Sequence, residues 1–213
     1  MRSITKNSIQ RTALLALGLI AASTAHAITF DEAVGLLGTK GVSALRAASP
    51  EVVQAIADVS QVASAWKAGR LATSDAVLAA AEAVRRLSDH WSDLRQVPPA
   101  SGWAVHQVAV LVLASDVRSL MTAAEWRTDG PLSEAMVGWL DESTRMLPSL
   151  APDGPGAKGC LEALADCMDS ASYGRTVLER GRRGLACAWE FIQCTGSKMG
   201  GGLQRHDGEA RGF

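Results

Sequence analysis

Cys160, Cys167, Cys187 and Cys194 are the residues whose type and spacing most directly imply chemistry. Six residues separate the first two, nineteen the middle pair and six the last two. Metal ligation, thiol–disulfide catalysis and structural disulfides compete for four such thiols. Structural zinc takes ligands about two to four residues apart, which six-residue gaps do not match. No Cys-x-x-Cys is present to run redox catalysis. Structural disulfides remain, and geometry selects their pairing. Seven residues of helix rise roughly 10.5 Å, whereas a disulfide needs its Cα atoms within about 7 Å. Neither near pair can close inside one straight helix. Two antiparallel helices nest the partners as Cys160 with Cys194 and Cys167 with Cys187. Both pairs then share a midpoint at Val177, as a hairpin requires. The outer bond closes a loop of about 35 residues, worth roughly 3–4 kcal/mol in the chain-entropy account.

Between the staples lie Arg175, Arg180, Arg182 and Arg183. They make the hairpin tip basic on a mildly acidic chain, and are the candidate contacts for an anionic partner. Gly174, Gly181 and Gly184 read as the bends of that tip. The paired Cys-x6-Cys arrangement resembles the helical-hairpin proteins of oxidising compartments, over residues 160–194. Elsewhere, His106 falls on the inward stripe Trp103, Val110, Leu113, Val117 and reads as a core histidine bonded to a neighbour. His90 beside Asp89 reads as a solvated helix face. No nucleophile elbow, His-Glu-x-x-His or phosphate-loop ending is present, and no metal or cofactor is assigned. Catalytic residues: none. The six tryptophans fall mostly on apolar stripes and read as core.

These groups must be positioned by helices. Thr29-Phe30-Asp31-Glu32 has capping-box form and starts a short helix to about Leu37, ending near Gly38 and Gly41. Ser49-Pro50-Glu51 starts a second, which Gly69 ends. A third begins at Thr73 or Ser74; its Val77, Ala80, Val84, Leu87, Trp91 and Leu94 recur at three-four spacing, a seam for a partner helix. The stretch from Val97 to Gly102 breaks the chain. Trp103 to about Arg127 reads as a central helix continuing through Val117, Leu120 and Ala124, too short and polar-flanked for a membrane span. A fifth opens at Asp129-Gly130-Pro131, with Met136, Trp139, Leu140 and Leu147 inward. The expected fold is all-α: an irregular bundle of about five helices plus a C-terminal disulfide-stapled antiparallel helical hairpin. Its divisions are a leader at 1–27, a helical body at 28–147, a linker at 148–159, the hairpin at 160–195 and a disordered tail at 196–213.

The leader carries the chemistry of export. Arg2, Lys6 and Arg11 precede the apolar run from Ala13 to Ala22, and Ala25-His26-Ala27 places a cut before Ile28. Ten apolar residues are half of what a bilayer-spanning helix needs. Removing 27 of the 213 residues leaves 186, with all 22 acidic residues and 18 of the 21 basic ones, a formal charge of −4. Such a chain is a poor nucleic-acid binder. Abundant alanine, arginine in excess of lysine and no asparagine after the cut read as GC-rich bacterial coding. The expectation is a periplasmic binding or scaffolding protein of the bacterial cell envelope, with secretion as the second location. Its partner would be an envelope protein or an anionic envelope component, with no transmembrane span in the mature chain. The alternative is a helical enzyme or effector acting on envelope polymers, with a site assembled from distant residues.

Overall fold

A computed structural model describes residues 29–125, 129–150 and 155–198. The segment read as an export leader, and the part of the expected tail from residue 199, lie outside the described residues. Within them the chain is all-α, with seven helices and no strand.

α1 (Phe30–Ala47) starts as its sequence dictates: Glu32 N–H donates to Thr29 Oγ1 at 3.2 Å, and Thr29 N–H to Glu32 Oε2 at 2.8 Å. Its first helical run breaks at Gly38, as the sequence implies. That glycine takes φ 57° and ψ −140°, a kink open to a residue without Cβ, and helix resumes to Ala47. α2 (Pro50–Lys67) carries proline in its first turn and closes in a Schellman motif. Gly69, at φ 68°, donates to Trp66 O, and Arg70 donates to Ala65 O. α3 (Thr73–His90) runs into a 3-10 turn, Trp91–Gln96. All six seam residues, Val77, Ala80, Val84, Leu87, Trp91 and Leu94, are buried as expected. The seam faces two partners, because α3 packs between α2 and α5.

α4 (Pro99–Ala124) begins earlier than the break at 97–102 implied, with Pro99 in its first turn. By length and composition it could cross a membrane, with mean hydropathy 1.3, yet 61% of that window is buried inside the protein. It packs along α1. A π turn at Leu113–Val117 inserts into it. One extra residue rotates the remainder of the helix by about 100°. The buried stripe therefore leaves the expected Ala124, which is exposed, for Met121 and Glu125.

α5 (Pro131–Leu150) buries Met136, Trp139, Leu140 and Leu147 as read from sequence. It continues through Pro148 to Leu150, and α6 (Pro155–Ser172) starts inside the expected linker. α7 (Val177–Lys198) reaches three residues into the segment read as tail. Leu178, Leu185, Ala188 and Ile192 of α7 join the main core. A second cluster joins Trp103 and Leu147 to Leu164, Ala171, Cys187 and Phe191, so the hairpin packs on the helical body.

Candidate functional site

The hairpin pairs its cysteines in the nested order. Cys160–Cys194 and Cys167–Cys187 have Cα separations of 5.9 and 5.7 Å. The turn covers residues 173–176, a few short of the symmetric midpoint Val177, because the two arms are unequal beyond the inner staple. Cys187 opposite Cys167 sets Arg182 level with Ser172, so the first five residues of α7 project past α6. That projection is capped from two sides. Glu179 N–H donates to Thr176 Oγ1 at 3.0 Å, and Leu178 N–H donates to Asp129 Oδ1 at 2.8 Å. Backbone N–H groups of Leu178 and Val177 hold the Asp129 carboxyl below its usual range.

Glu125 performs the matching task for α5. Its carboxylate accepts from Leu132 N–H and Ser133 N–H, both at 3.1 Å, and from the Ser133 hydroxyl. Glu125 and Asp129, on either side of one short connection, thus cap two different helices and tie the hairpin to the body. Gly181 and Gly184 correct the reading of them as bends: both are buried within α7, and only Gly174 lies in the turn. A Cβ on Gly184 would stand 2.6 Å from Leu140 Cδ1, and one on Gly181 3.3 Å from Met121 Cε, so these glycines set a close helix approach.

The four candidate arginines do not form one cluster. Arg175 is exposed in the turn, and its N–H donates to Glu179 Oε2 at 2.9 Å. Arg183 is exposed and pairs with Glu179 Oε1. Arg180 is half-buried against Gly174. Arg182 crosses to the body, donating from Nη2 to Thr122 Oγ1 at 3.2 Å. Arg118, one turn before Thr122, has its guanidinium pKa lowered by burial and then by the charge of Arg182.

Two perturbed groups lie deeper. Asp116 sits in the π turn, 1% exposed, with Lys67 Nζ 3.0 Å away. Burial raises its pKa, against the Lys67 hydrogen bond and charge and the Ser115 hydrogen bond; the Glu32 charge adds to the rise. The sequence signal is one acid within an apolar run, which by itself names neither its burial nor its partner. His106 is fully buried, sharing a 2.9 Å hydrogen bond with Ser143 Oγ whose direction the ring's tautomer sets. Trp103 stacks on it at 5.4 Å between centroids, with Trp91 at 5.9 Å and Trp139 at 6.4 Å. Burial pushes its pKa down to about 3. The core reading of His106 stands; the box of three tryptophans around it is not legible from spacing.

Two shallow grooves are among those on the surface of the described residues. One, of about 200 Å³, lies across the two disulfides and is lined by Ala163, Leu164, Phe191 and Glu190. The other, of about 240 Å³, lies between α3 and α5 among Arg85, Ser88, Asp89, Glu134 and Gly138. Neither contains Asp116 or His106. Among the described residues, no group of three or more His, Cys, Asp or Glu is placed to hold a metal ion. No family model, no curated protein and no solved structure matches this chain.

Proposed function

We propose that this is an exported, oxidised helical protein of a bacterial cell envelope that acts by binding. It resides in the periplasm, with secretion as the second possibility, and has no membrane span after leader removal. Its partner is an envelope protein or an anionic envelope component met through the arginine-bearing end of the hairpin. The observation that carries the reading is a separation. His106, the strongly perturbed group, and Asp116, whose pKa burial raises, are walled inside the protein, while the two described grooves are lined by other residues. A catalytic acid or base belongs in a cleft that substrate enters. The two disulfides suit an oxidising compartment outside the cytoplasm. The alternative enzyme acting on envelope polymers would draw on Lys67 and Asp116, of which only Lys67, 29% exposed, reaches solvent.

The test is fractionation of cells making the full chain, with photo-crosslinking residues at Arg175, Arg183 and, for comparison, Arg85. The reading expects processed protein in the periplasm and discrete adducts from the hairpin positions alone. Retention of residues 1–27 in cytoplasmic protein, or the same adducts from all three positions, would overturn it.

A further inference from the structure

The groove across the two disulfides is built from the same stripe on both hairpin helices. Cys160, Ala163, Leu164 and Cys167 hold positions i, i+3, i+4 and i+7 of α6. Cys187, Glu190, Phe191 and Cys194 hold the same positions of α7. Residues so spaced share one helical face. Leu164 and Phe191 are buried and form the floor, whereas Ala163 and Glu190 are exposed at the rim. Phe191 is fixed by an edge contact with Trp103, 5.2 Å between centroids. Ala163 contributes only a methyl group, so about 200 Å³ stays open above the floor.

Each disulfide turns one residue towards solvent and hides the other. Cys160 and Cys187 are 0% and 3% exposed, while Cys167 and Cys194 are half-buried. A thiolate breaks a disulfide at the sulfur it can reach. The outer bond joins the start of α6 to the last described turns of α7, and the inner bond still closes the hairpin if the outer one opens. Glu190, one turn before Cys194, brings a carboxylate to the same opening and forms no ion pair among the described residues. From this arrangement we infer that the groove is a thiol-exchange site, at which a thiol carrying positive charge near its sulfur attacks Cys194. A bond forms between the incoming sulfur and Cys194 Sγ. The Cys160–Cys194 bond breaks, its electron pair leaves on Cys160 Sγ, and that sulfur takes a proton from water. The incoming thiol is oxidised to a mixed disulfide as Cys160 is reduced, so no further oxidant is needed. The Cys160 thiol stays in its apolar cluster with Leu164 and Phe191, placed to attack the adduct and restore the bond. The site uses none of the hairpin arginines and is independent of the partner proposed above.

The oxidised chain should be incubated with cysteamine, a cationic thiol, and separately with 2-mercaptoethanesulfonate, an anionic one. Alkylation at early times and peptide mapping then locate the adduct. Dividing each rate by that of the same thiol with bis(2-hydroxyethyl) disulfide removes the thiols' own reactivities. The first product should carry the thiol on Cys194 and the alkyl group on Cys160, with Cys167 and Cys187 still linked. Cysteamine should exceed the sulfonate about fivefold. Glu190→Gln should bring that ratio near unity, and Glu190→Lys should invert it. Ala163→Leu fills the groove and should slow both thiols about tenfold. Attack in the folded groove should keep its rate in urea below the unfolding transition. No adduct, a first adduct on any cysteine other than Cys194, or a rate that climbs with urea would overturn the site. A charge preference that survives Glu190→Lys, or an unchanged rate in Ala163→Leu, would overturn it as well.

Discussion

Replacing His106 by glutamine should remove an acid-sensitive element of stability from the core. The neutral ring fits its box, because one nitrogen bonds Ser143 while Nδ1 has no hydrogen-bond partner among the described residues. An imidazolium would need an acceptor at both nitrogens. Burial accordingly holds the folded ring's pKa at about 3, against 6.5 for the free group. The folded pKa is depressed, so the unfolded chain takes up the proton first. Stability attached to the neutral ring is complete above about pH 6.5 and is lost as pH falls towards 3. At pH 5 the loss is about 2 kcal/mol, rising to about 3 at pH 4. A cation–π contact with Trp103 would favour the charged ring by up to about 2 kcal/mol, raising the folded pKa by a unit or so. The loss at pH 5 barely changes, since there it is set by protonation of the unfolded chain. The assay is urea unfolding of wild type and His106→Gln at several pH values between about 7.5 and 5, with tryptophan emission as the signal. The carboxylates are common to both proteins and drop out of the difference, including Asp116, whose raised pKa works in the opposite direction. The reasoning predicts that wild type loses about 2 kcal/mol more than the variant over that interval. A difference that stays flat would refute it.

Leu87 is fully buried in the α3 seam, and Leu87→Ala should cost about 2–5 kcal/mol in denaturant unfolding; no shift of the midpoint would show that the seam does not pack. Glu125→Ala strands two backbone N–H groups and a hydroxyl at the start of α5, and should cost about 1–3 kcal/mol. Amide exchange at Leu132 and Ser133 should accelerate with it; unchanged protection would remove Glu125 as the cap. Cys160→Ser should leave Cys194 as the one free thiol and keep Cys167–Cys187 intact. Thiol labelling of intact protein checks this, and labelled Cys167 or Cys187 would contradict independent staples.

What sequence conveyed was whatever repeats or meets a geometric limit. Val77 to Leu94 declared their face through three-four spacing, and the four cysteines declared their pairing because seven helical residues outrun a disulfide. Contacts made across space left no such trace. Glu125 and Asp129 sit in an ordinary-looking connection, and only the fold shows that Glu125 caps the next helix while Asp129 caps one 49 positions on. Leu113–Val117 has no composition that marks a π turn, so the periodic stripe points to Ala124 while the fold puts Glu125 in its place. Gly181 and Gly184 carried two opposite meanings, bend or close approach, and local sequence does not choose between them. The Arg182–Thr122 hydrogen bond lies in the same category, its partners being 60 positions apart in the chain.

The account's central claim is an exported chain whose hairpin closes in an oxidising compartment, and peptide mapping under non-reducing conditions tests it most directly. Protein recovered from the periplasm should begin at Ile28 and yield two linked peptides, one joining Cys160 to Cys194 and one joining Cys167 to Cys187. Four free thiols, a Cys160–Cys187 link, or a chain that keeps residues 1–27 in the cytoplasm would contradict it.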